Sequence, residues 1–357
     1  MNSFGQKLRF STFGESHGKA IGCIVDGVPA GLFIDEAFIQ SELDRRKPGK
    51  SEFETARKEE DIVEILSGVF EGQSTGTPIA MVIYNTNQKS KDYSNIKDIF
   101  RPGHADFTYF HKYGVRDYRG GGRSSARETA ARVAAGAIAK LMLKTLNIEI
   151  LSGISEVHGI KSEKFDYSHA KSSIIYALDA DREKAQKEAI LTAKNSHDSV
   201  GGVSRVLIKG APVGLGQPLY YKLDAVLADA MMGINAVKAI EIGDGILSAS
   251  MYGSENNDEI RGNGFVTNHS GGILGGISNG DDIIINVYFK PTPSIFKEQK
   301  TVTSANEEVD FSLKGRHDPC VAIRGTVVCE AMAALVIADM LLLNMGSNMH
   351  GVSKYYN

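Results

Sequence analysis

Short apolar runs punctuated by glycine dominate the first third of the chain. The runs at 20–25, 62–66 and 79–84 are predicted strands, set off by Asp26-Gly27-Val28-Pro29 and Gly76-Thr77-Pro78. Residues 34–46 read as an amphipathic helix, because Phe38, Ile39 and Leu43 recur at helical spacing among acids and glutamine, and it stops at Pro48-Gly49. Residues 85–122 are polar, aromatic and glycine-dotted with no sustained period, which predicts a long functional loop. An alanine-rich helix is expected over 126–144, opened by a capping box in which Ser125 is the N-cap and Glu128 reaches back to it. The lysine-rich stretch 160–198 reads as a peripheral helical segment, with its helix at 181–193. Glycine-separated elements then resume: a strand at 203–209, a helix at 223–232, a segment 262–280 with seven glycines, and a near-continuous apolar strand at 283–289. That strand runs into the stiff segment Lys290-Pro291-Thr292-Pro293-Ser294. The last helix, 326–344, is apolar nearly all round, so it belongs in the centre of the protein or in a subunit interface.

This order lacks a strict βαβ rhythm and places no GxGxxG after a strand, which excludes a Rossmann domain. An α+β architecture fits, with antiparallel sheets packed on central helices, and a length of 357 residues allows one large domain or two. With 40 Lys+Arg against 43 Asp+Glu the net charge is only -3, so no bulk basic excess marks a nucleic-acid or membrane-surface binder. Cys23, Cys320 and Cys329 are odd in number and show no CxxC spacing. No apolar leader run follows Met1, and 327–343 is interrupted by Glu330 and Asp339, short of the roughly 20 apolar residues of a membrane span. A cytoplasmic protein is expected. The 38 glycines exceed the usual ~7% and point to close backbone approach, as against a ligand.

The overall charge balance hides a local excess. Residues 101–140 hold eight basic residues against three acids, with His104 and His111 in addition. At the centre, Gly120-Gly121-Gly122-Arg123-Ser124-Ser125-Ala126-Arg127 feeds a glycine run into a helix N-terminus, where free N–H groups and flanking arginines favour an anion. Gly14-Glu15-Ser16-His17-Gly18 has the G-x-S-x-G form of a hydrolase elbow, but that elbow needs a helix afterwards and 21–25 reads as a strand. Arg101-Pro102-Gly103-His104-Ala105-Asp106 is a rigid turn that sets a histidine beside a carboxylate. No metal-binding spacing occurs, and no metal is expected. A serine hydrolase using Ser16, or a non-catalytic phosphate or RNA binder using the 101–140 patch, are the competing readings.

Gly14-Glu15-Ser16-His17-Gly18, Arg101 to Asp106, Arg123 to Thr129, Ile234-Asn235-Ala236-Val237-Lys238, Lys290 to Ser294 and Gly315-Arg316-His317-Asp318-Pro319-Cys320 together resemble the chorismate synthase family, over residues 8 to about 343. The resemblance implies a lyase of the shikimate pathway, which converts 5-enolpyruvylshikimate 3-phosphate to chorismate by 1,4-elimination of phosphate and a ring proton. It further implies reduced FMN without net redox change, a single domain built as a β-α-β sandwich, and a homotetramer. By the same resemblance Ser16, His17, Arg46, Arg101, Ser125, Arg127 and Arg316 hold the substrate, and His17 protonates the leaving phosphate while His104 serves the flavin. FMN falls to Arg123, Ser124, Ser125, Asn235, Ala236, Gly275, Lys290, Pro291, Thr292, Pro293, Ser294 and Arg316. Arg46 is also a candidate contact for NADPH, the alternative being an external flavin reductase. Several relatives carry a further arginine six residues after Arg46; Glu52 stands here, leaving Lys47 or Lys50 to compensate or the nicotinamide contact absent. Asp339, an acid in an apolar helix, is costly to bury unpaired and is expected either near the flavin or on a structural partner.

Overall fold

The computed structural model describes residues 1–55, 59–86, 96–312 and 317–356. Two five-stranded antiparallel sheets enclose a helical layer. The N-terminal sheet runs Ser3–Phe4, Arg9–Gly14, Ala20–Asp26, Ile79–Tyr84 and Val63–Ile65 in spatial order. The C-terminal sheet runs Val237–Ile242, Ile283–Phe289, Gly202–Lys209, Glu149–Val157 and Ile160–Lys161. This is the α+β sandwich expected from the strand pattern.

Helix Thr129–Lys144 packs on the N-terminal sheet and on helix Ala322–Asn344, which in turn lies on Glu149–Val157 and Gly202–Lys209. Every residue from Gly325 to Met340 is buried. The all-round apolar character of this helix is therefore spent within one chain, at the centre. Strand Ile283–Phe289 buries alternate residues, Ile283, Ile285, Val287 and Phe289, which gives one wall of the core its two-residue period. Helix Glu36–Arg46 begins where Asp35 accepts from the Phe38 N–H at 3.0 Å, and it ends just before Pro48.

Two expectations need correction. Within 85–122, helix Asp106–Tyr113 forms, ended by left-handed Gly114. The capping box is only half made: Ser125 accepts from the Arg127 N–H at 3.3 Å, but a 3-10 turn Ala126–Glu128 comes first. Glu128 turns away to Thr12 Oγ1 at 2.8 Å and Arg132 Nε at 2.9 Å, because those polar groups on neighbouring elements outbid the local backbone. The 160–198 stretch holds Tyr167–Ser172 and Ala180–Asn195.

This architecture brings several chain ends to one place. The turn before helix Thr129–Lys144, the residues before helix Ala322–Asn344, the start of Val237–Ile242 and the exit of Ile283–Phe289 all border one cavity.

Candidate active site

The cavity has a volume of about 390 Å³. The turn that leads into helix Thr129–Lys144 and the start of helix Ala322–Asn344 border it, so the positive dipole ends of both central helices favour a bound anion.

Arg46 is carried at the end of helix Glu36–Arg46 and is only 1% exposed. Its Nη2 and the Nη1 of Arg127 grip opposite oxygens of Asp61. Burial lowers the Arg46 pKa to about 10; Asp61 opposes that fall, while Arg324 and Arg127 add repulsion, and the group stays charged at neutral pH. Asp61 is itself held below the usual carboxylate range, because the two guanidiniums outweigh the effect of its burial.

Arg101 and His104 share Asp106. Arg101 gives Nε and Nη2 to the carboxylate at 2.7 and 2.9 Å, Arg116 Nη1 lies 3.0 Å from it, and His104 Nδ1 lies 3.0 Å from Oδ1. Asp106 therefore stays ionised far below the usual range. His104 Nδ1 also lies 3.2 Å from Arg101 Nη2; in the tautomer that donates Nδ1–H to the carboxylate, the Nε2 lone pair is left on the opposite side, where Gly121 lies. Burial, with Arg101 and Arg116, lowers the His104 pKa against the pull of Asp106, so the ring is neutral.

Gly120, Gly121 and Gly122 have φ of 65°, 98° and 56°. A Cβ at Gly120 would come within 2.0 Å of His17 Cε1, and one at Gly121 within 3.0 Å of His104 Cε1. The run thus threads between the two imidazoles, and glycine is required both for its left-handed backbone and for this approach. His17 and Ser16 are buried behind Gly120, with Ser16 Oγ 3.1 Å from His17 Nδ1. Gly14–Gly18 joins two strands of a sheet, not a strand to a helix, so the nucleophile-elbow context is missing.

The opposite wall is built from Asn235, Ala236, Lys290, Thr292, Pro293 and Ser294. Asn235 Nδ2 donates to Ser124 O at 2.9 Å, and Lys290 N to Ala236 O at 2.9 Å, which ties the two segments together. Ala236 takes φ 69°, a left-handed strain for a non-glycine residue.

Ser124, Ser125, Arg46, Arg101, His104 and Arg127 also line the cavity, but not every expected residue does. The Arg123 guanidinium turns away, to Thr12 Oγ1 at 2.7 Å and Gly14 O at 3.3 Å. Pro291 and Gly275 are not on the lining. Gly275 and Gly276, with φ 60° and 87°, make the two-residue turn of the hairpin Ile273–Leu274 with Ile277–Ser278, and such a turn needs positive φ at both positions. Asp339 is occupied structurally: its carboxylate accepts the N–H groups of Gln6, Lys7 and Leu8 at 3.0, 2.7 and 2.9 Å and the Tyr221 hydroxyl at 2.9 Å. Arg316 lies outside the described residues. Lys50 bonds Tyr176 Oη at 3.0 Å and Lys47 bonds Asp44 at 2.8 Å, so neither is turned to the cavity.

Sequence reasoning overlooked Asp61, His317, Asp318 and Arg324. Asp318 accepts from the Thr55 N–H at 3.1 Å and pairs with Arg324 Nη2. Burial, with the Arg101 charge, lowers His317 to about 4 despite Asp318. His317 and Asp318 stand in one of the quoted motifs, so a signal was present. Arg324 and Asp61 had none beyond their charge.

Arg46 Nε, Arg127 Nη2, Arg324 Nε, Asn235 Oδ1, Thr292 Oγ1 and His317 Nε2 are buried and lack hydrogen-bond partners among the described residues. Each such group costs about 1–3 kcal/mol if left unmet. Arg127 Nη2 does lie 3.9 Å from Glu59 Oε2, a buried carboxylate on the same lining; even so, six such atoms around one cavity, three of them guanidinium nitrogens, suit a polar ligand with anionic groups.

A family model described as chorismate synthase matches residues 8–342. The chorismate synthase of Sulfurimonas denitrificans is 84% identical over 356 residues, covering 100% of this chain and 99% of that protein. That of Sulfurovum sp. (strain NBC37-1) is 73% identical, with full coverage of both chains. A crystal structure of chorismate synthase superposes with a TM-score of 0.76 at 32% identity, over 99% of this chain and 97% of the other.

Proposed function

The chain belongs to the chorismate synthase family, which makes it a carbon–oxygen lyase of aromatic amino-acid biosynthesis, and from that premise we propose that the cavity binds 5-enolpyruvylshikimate 3-phosphate and expels its phosphate. The observation that carries this is the set of unmet guanidinium nitrogens facing one enclosed space. The substrate bears a phosphate and two carboxylates, and Arg46, Arg127 and Arg324 each keep one guanidinium nitrogen for such a group. Arg101 has Nη1 left for a ligand once Asp106 has taken Nε and Nη2.

In the elimination a ring C–H bond and the C–O bond to phosphate break and a conjugated diene forms, so the electrons balance without net redox change. His17 gives the leaving phosphate its proton. Because His17 stands behind Gly120, that transfer needs a small shift of the three-glycine run, which glycine backbone permits. His104 enters neutral, with Nε2 free to take up a proton as negative charge gathers beside it.

The residues present fit a flavin: Asn235 Oδ1 and Thr292 Oγ1 are buried hydrogen-bonding atoms without partners among the described residues, and Lys290 and Ser294 stand on the same wall to meet a phosphate tail. Reduced FMN, when bound, would supply transient electron density and help to accept the ring proton. Ser124 and Ser125 complete its cradle. For the reductant, the reading best supported is an external flavin reductase rather than NADPH on this chain: Arg46 is buried against Asp61, and Glu52 would repel a nucleotide phosphate. A cytoplasmic homotetramer completes the proposal, supported by the apolar outward face of the N-terminal sheet, where Phe13, Ile24 and Tyr84 are 43%, 41% and 52% exposed.

Nothing favours the competing readings. Ser16 lacks its elbow, and Arg101, Arg116 and Arg127 are buried pairs rather than a surface patch for RNA.

The test is phosphate release from 5-enolpyruvylshikimate 3-phosphate under anaerobic conditions. Release is expected with dithionite-reduced FMN, and not with oxidised FMN or with NADPH and FMN alone. Equal release without flavin would remove the cofactor from the proposal.

A further inference from the structure

We propose that Asp61 is a positioning residue that pre-sets the Arg46 and Arg127 guanidiniums as one anion clamp, and that Asn85 couples this clamp to the loop carrying His17. The inference rests on the reading of the cavity given above.

Asp61 is built in, not incidental. It is 2% exposed and takes φ 53°, a left-handed conformation unfavourable for a non-glycine residue. Gln40 holds the backbone at Asp61 and just after it: Nε2 donates to Asp61 O at 3.2 Å, and the Val63 N–H donates to Oε1 at 3.2 Å. The strained turn aims one carboxylate oxygen at each guanidinium.

Each arginine is then fixed at a second point. Arg46 Nη1 donates to Ala126 O at 3.3 Å, and Arg127 Nε donates to Asn85 Oδ1 at 2.9 Å. The nitrogens left over, Arg46 Nε and Arg127 Nη2, are buried and make no hydrogen bond among the described residues. The far end of Asn85 donates Nδ2 to Glu15 O at 3.1 Å and to Gly18 O at 2.9 Å, on either side of Ser16 and His17. A polar chain thus runs from Gln40 through Asp61, Arg127 and Asn85 to the His17 loop.

Charge and geometry make opposite forecasts here. As a mere counter-ion Asp61 weakens binding of a ligand with three anionic groups, so its neutralisation should lower KM. As the device that holds two mutually repelling guanidiniums in register, its neutralisation should raise KM, because the cost of gathering them falls on the ligand.

The experiment is steady-state phosphate release with dithionite-reduced FMN for the full-length wild type, Asp61→Asn, Arg127→Ala and the double variant. In Asp61→Asn, KM is expected to rise about tenfold or more with kcat within about threefold of wild type. The double variant is expected to fall within about twofold of Arg127→Ala alone, since both changes break one clamp. A lower or unchanged KM, or full additivity, overturns the assignment. A wild type without turnover would instead remove the reading of the cavity, and the two failures are thereby distinct. Gln40→Ala leaves all three charges in place and loosens only the backbone under Asp61. Should Asp61→Asn show no cooperative melt, a raised KM in Gln40→Ala with an unchanged melt supports the clamp, and an unchanged KM sinks it.

Discussion

Single side chains in this protein are set by what they face rather than by what they are. Asp61, Asp106 and Asp318 each hold an arginine at the cavity, while Asp339 spends its carboxylate on three backbone N–H groups. The histidines give a pH signature. Burial lowers both His104 and His317, the latter to about 4, with Arg101 adding to each fall and the neighbouring carboxylates opposing it. The unfolded chain protonates both near pH ~6.5, so below that, and for His317 down to about pH 4, it binds more protons than the fold does, and stability falls as pH falls. Asp61 and Asp106, held low, add their own loss only below the ordinary carboxylate range. The urea midpoint is expected to drop from pH 7 to pH 5 by an amount worth on the order of 2 kcal/mol, and His317→Gln should flatten much of that slope. A midpoint that holds or rises at pH 5 contradicts the lowered values. At this scale the sequence exposed the residue types and little else: nothing in Arg123 or Arg127 announces that the first points to Thr12 and the second into the cavity.

Elements were legible wherever an apolar run was set off by turn residues. Strand 283–289, strand 79–84 and helix 223–232 appear with the boundaries that the apolar pattern gives. Helix Asp106–Tyr113 was barely legible, because its only helical signal is the short aromatic stripe Phe107, Phe110 and His111, and Asp106 is its one buried residue. It is held by contact instead: Phe107, Phe110 and His111 pack around Phe100, with ring centroids 5.4, 5.5 and 6.1 Å away. The two central helices meet through Gly136, where a Cβ would lie 2.4 Å from Ala331 Cβ and 2.6 Å from its Cα. In Gly136→Ala the helix-propensity gain is about 1 kcal/mol. Overpacking costs about 1–3 kcal/mol, and backbone contact leaves no rotamer to relieve it. The cost wins, and a net loss of up to about 2 kcal/mol, read from the urea midpoint, is expected; a gain would show that the helices can part. Glu330, which interrupts the apolar run of the long helix, proves to be a cross-brace. It accepts from Arg45 at 2.7 and 2.8 Å, Lys140 at 2.5 Å and Ser152 at 2.8 Å, tying three helices and a strand together.

For the whole molecule, the outward face of the N-terminal sheet carries a further consequence of the proposed tetramer. Phe13, Ile24 and Tyr84 share that face, with the Phe13 ring over Gly22. Ile24→Lys is expected to lower the mass seen by sedimentation while leaving the melt near wild type, since Ile24 already stands 41% exposed and its loss opens no core cavity. An unchanged mass would rule this face out of the assembly. The sequence by itself determined the α+β layering, an all-round apolar helix that had to be covered, and a store of arginine, histidine and glycine suited to an anion, because periodicity and turn chemistry are local and are written in neighbouring residues; that the helix is covered within one chain was decided by the fold. Only the tertiary structure decided which arginines keep an unmet N–H, that Asp61 joins Arg46 to Arg127, and that Gly120 and Gly121 pass between His17 and His104. Those facts arise where segments distant in the chain meet, and the direction of a buried charge is settled by the partner it finds there.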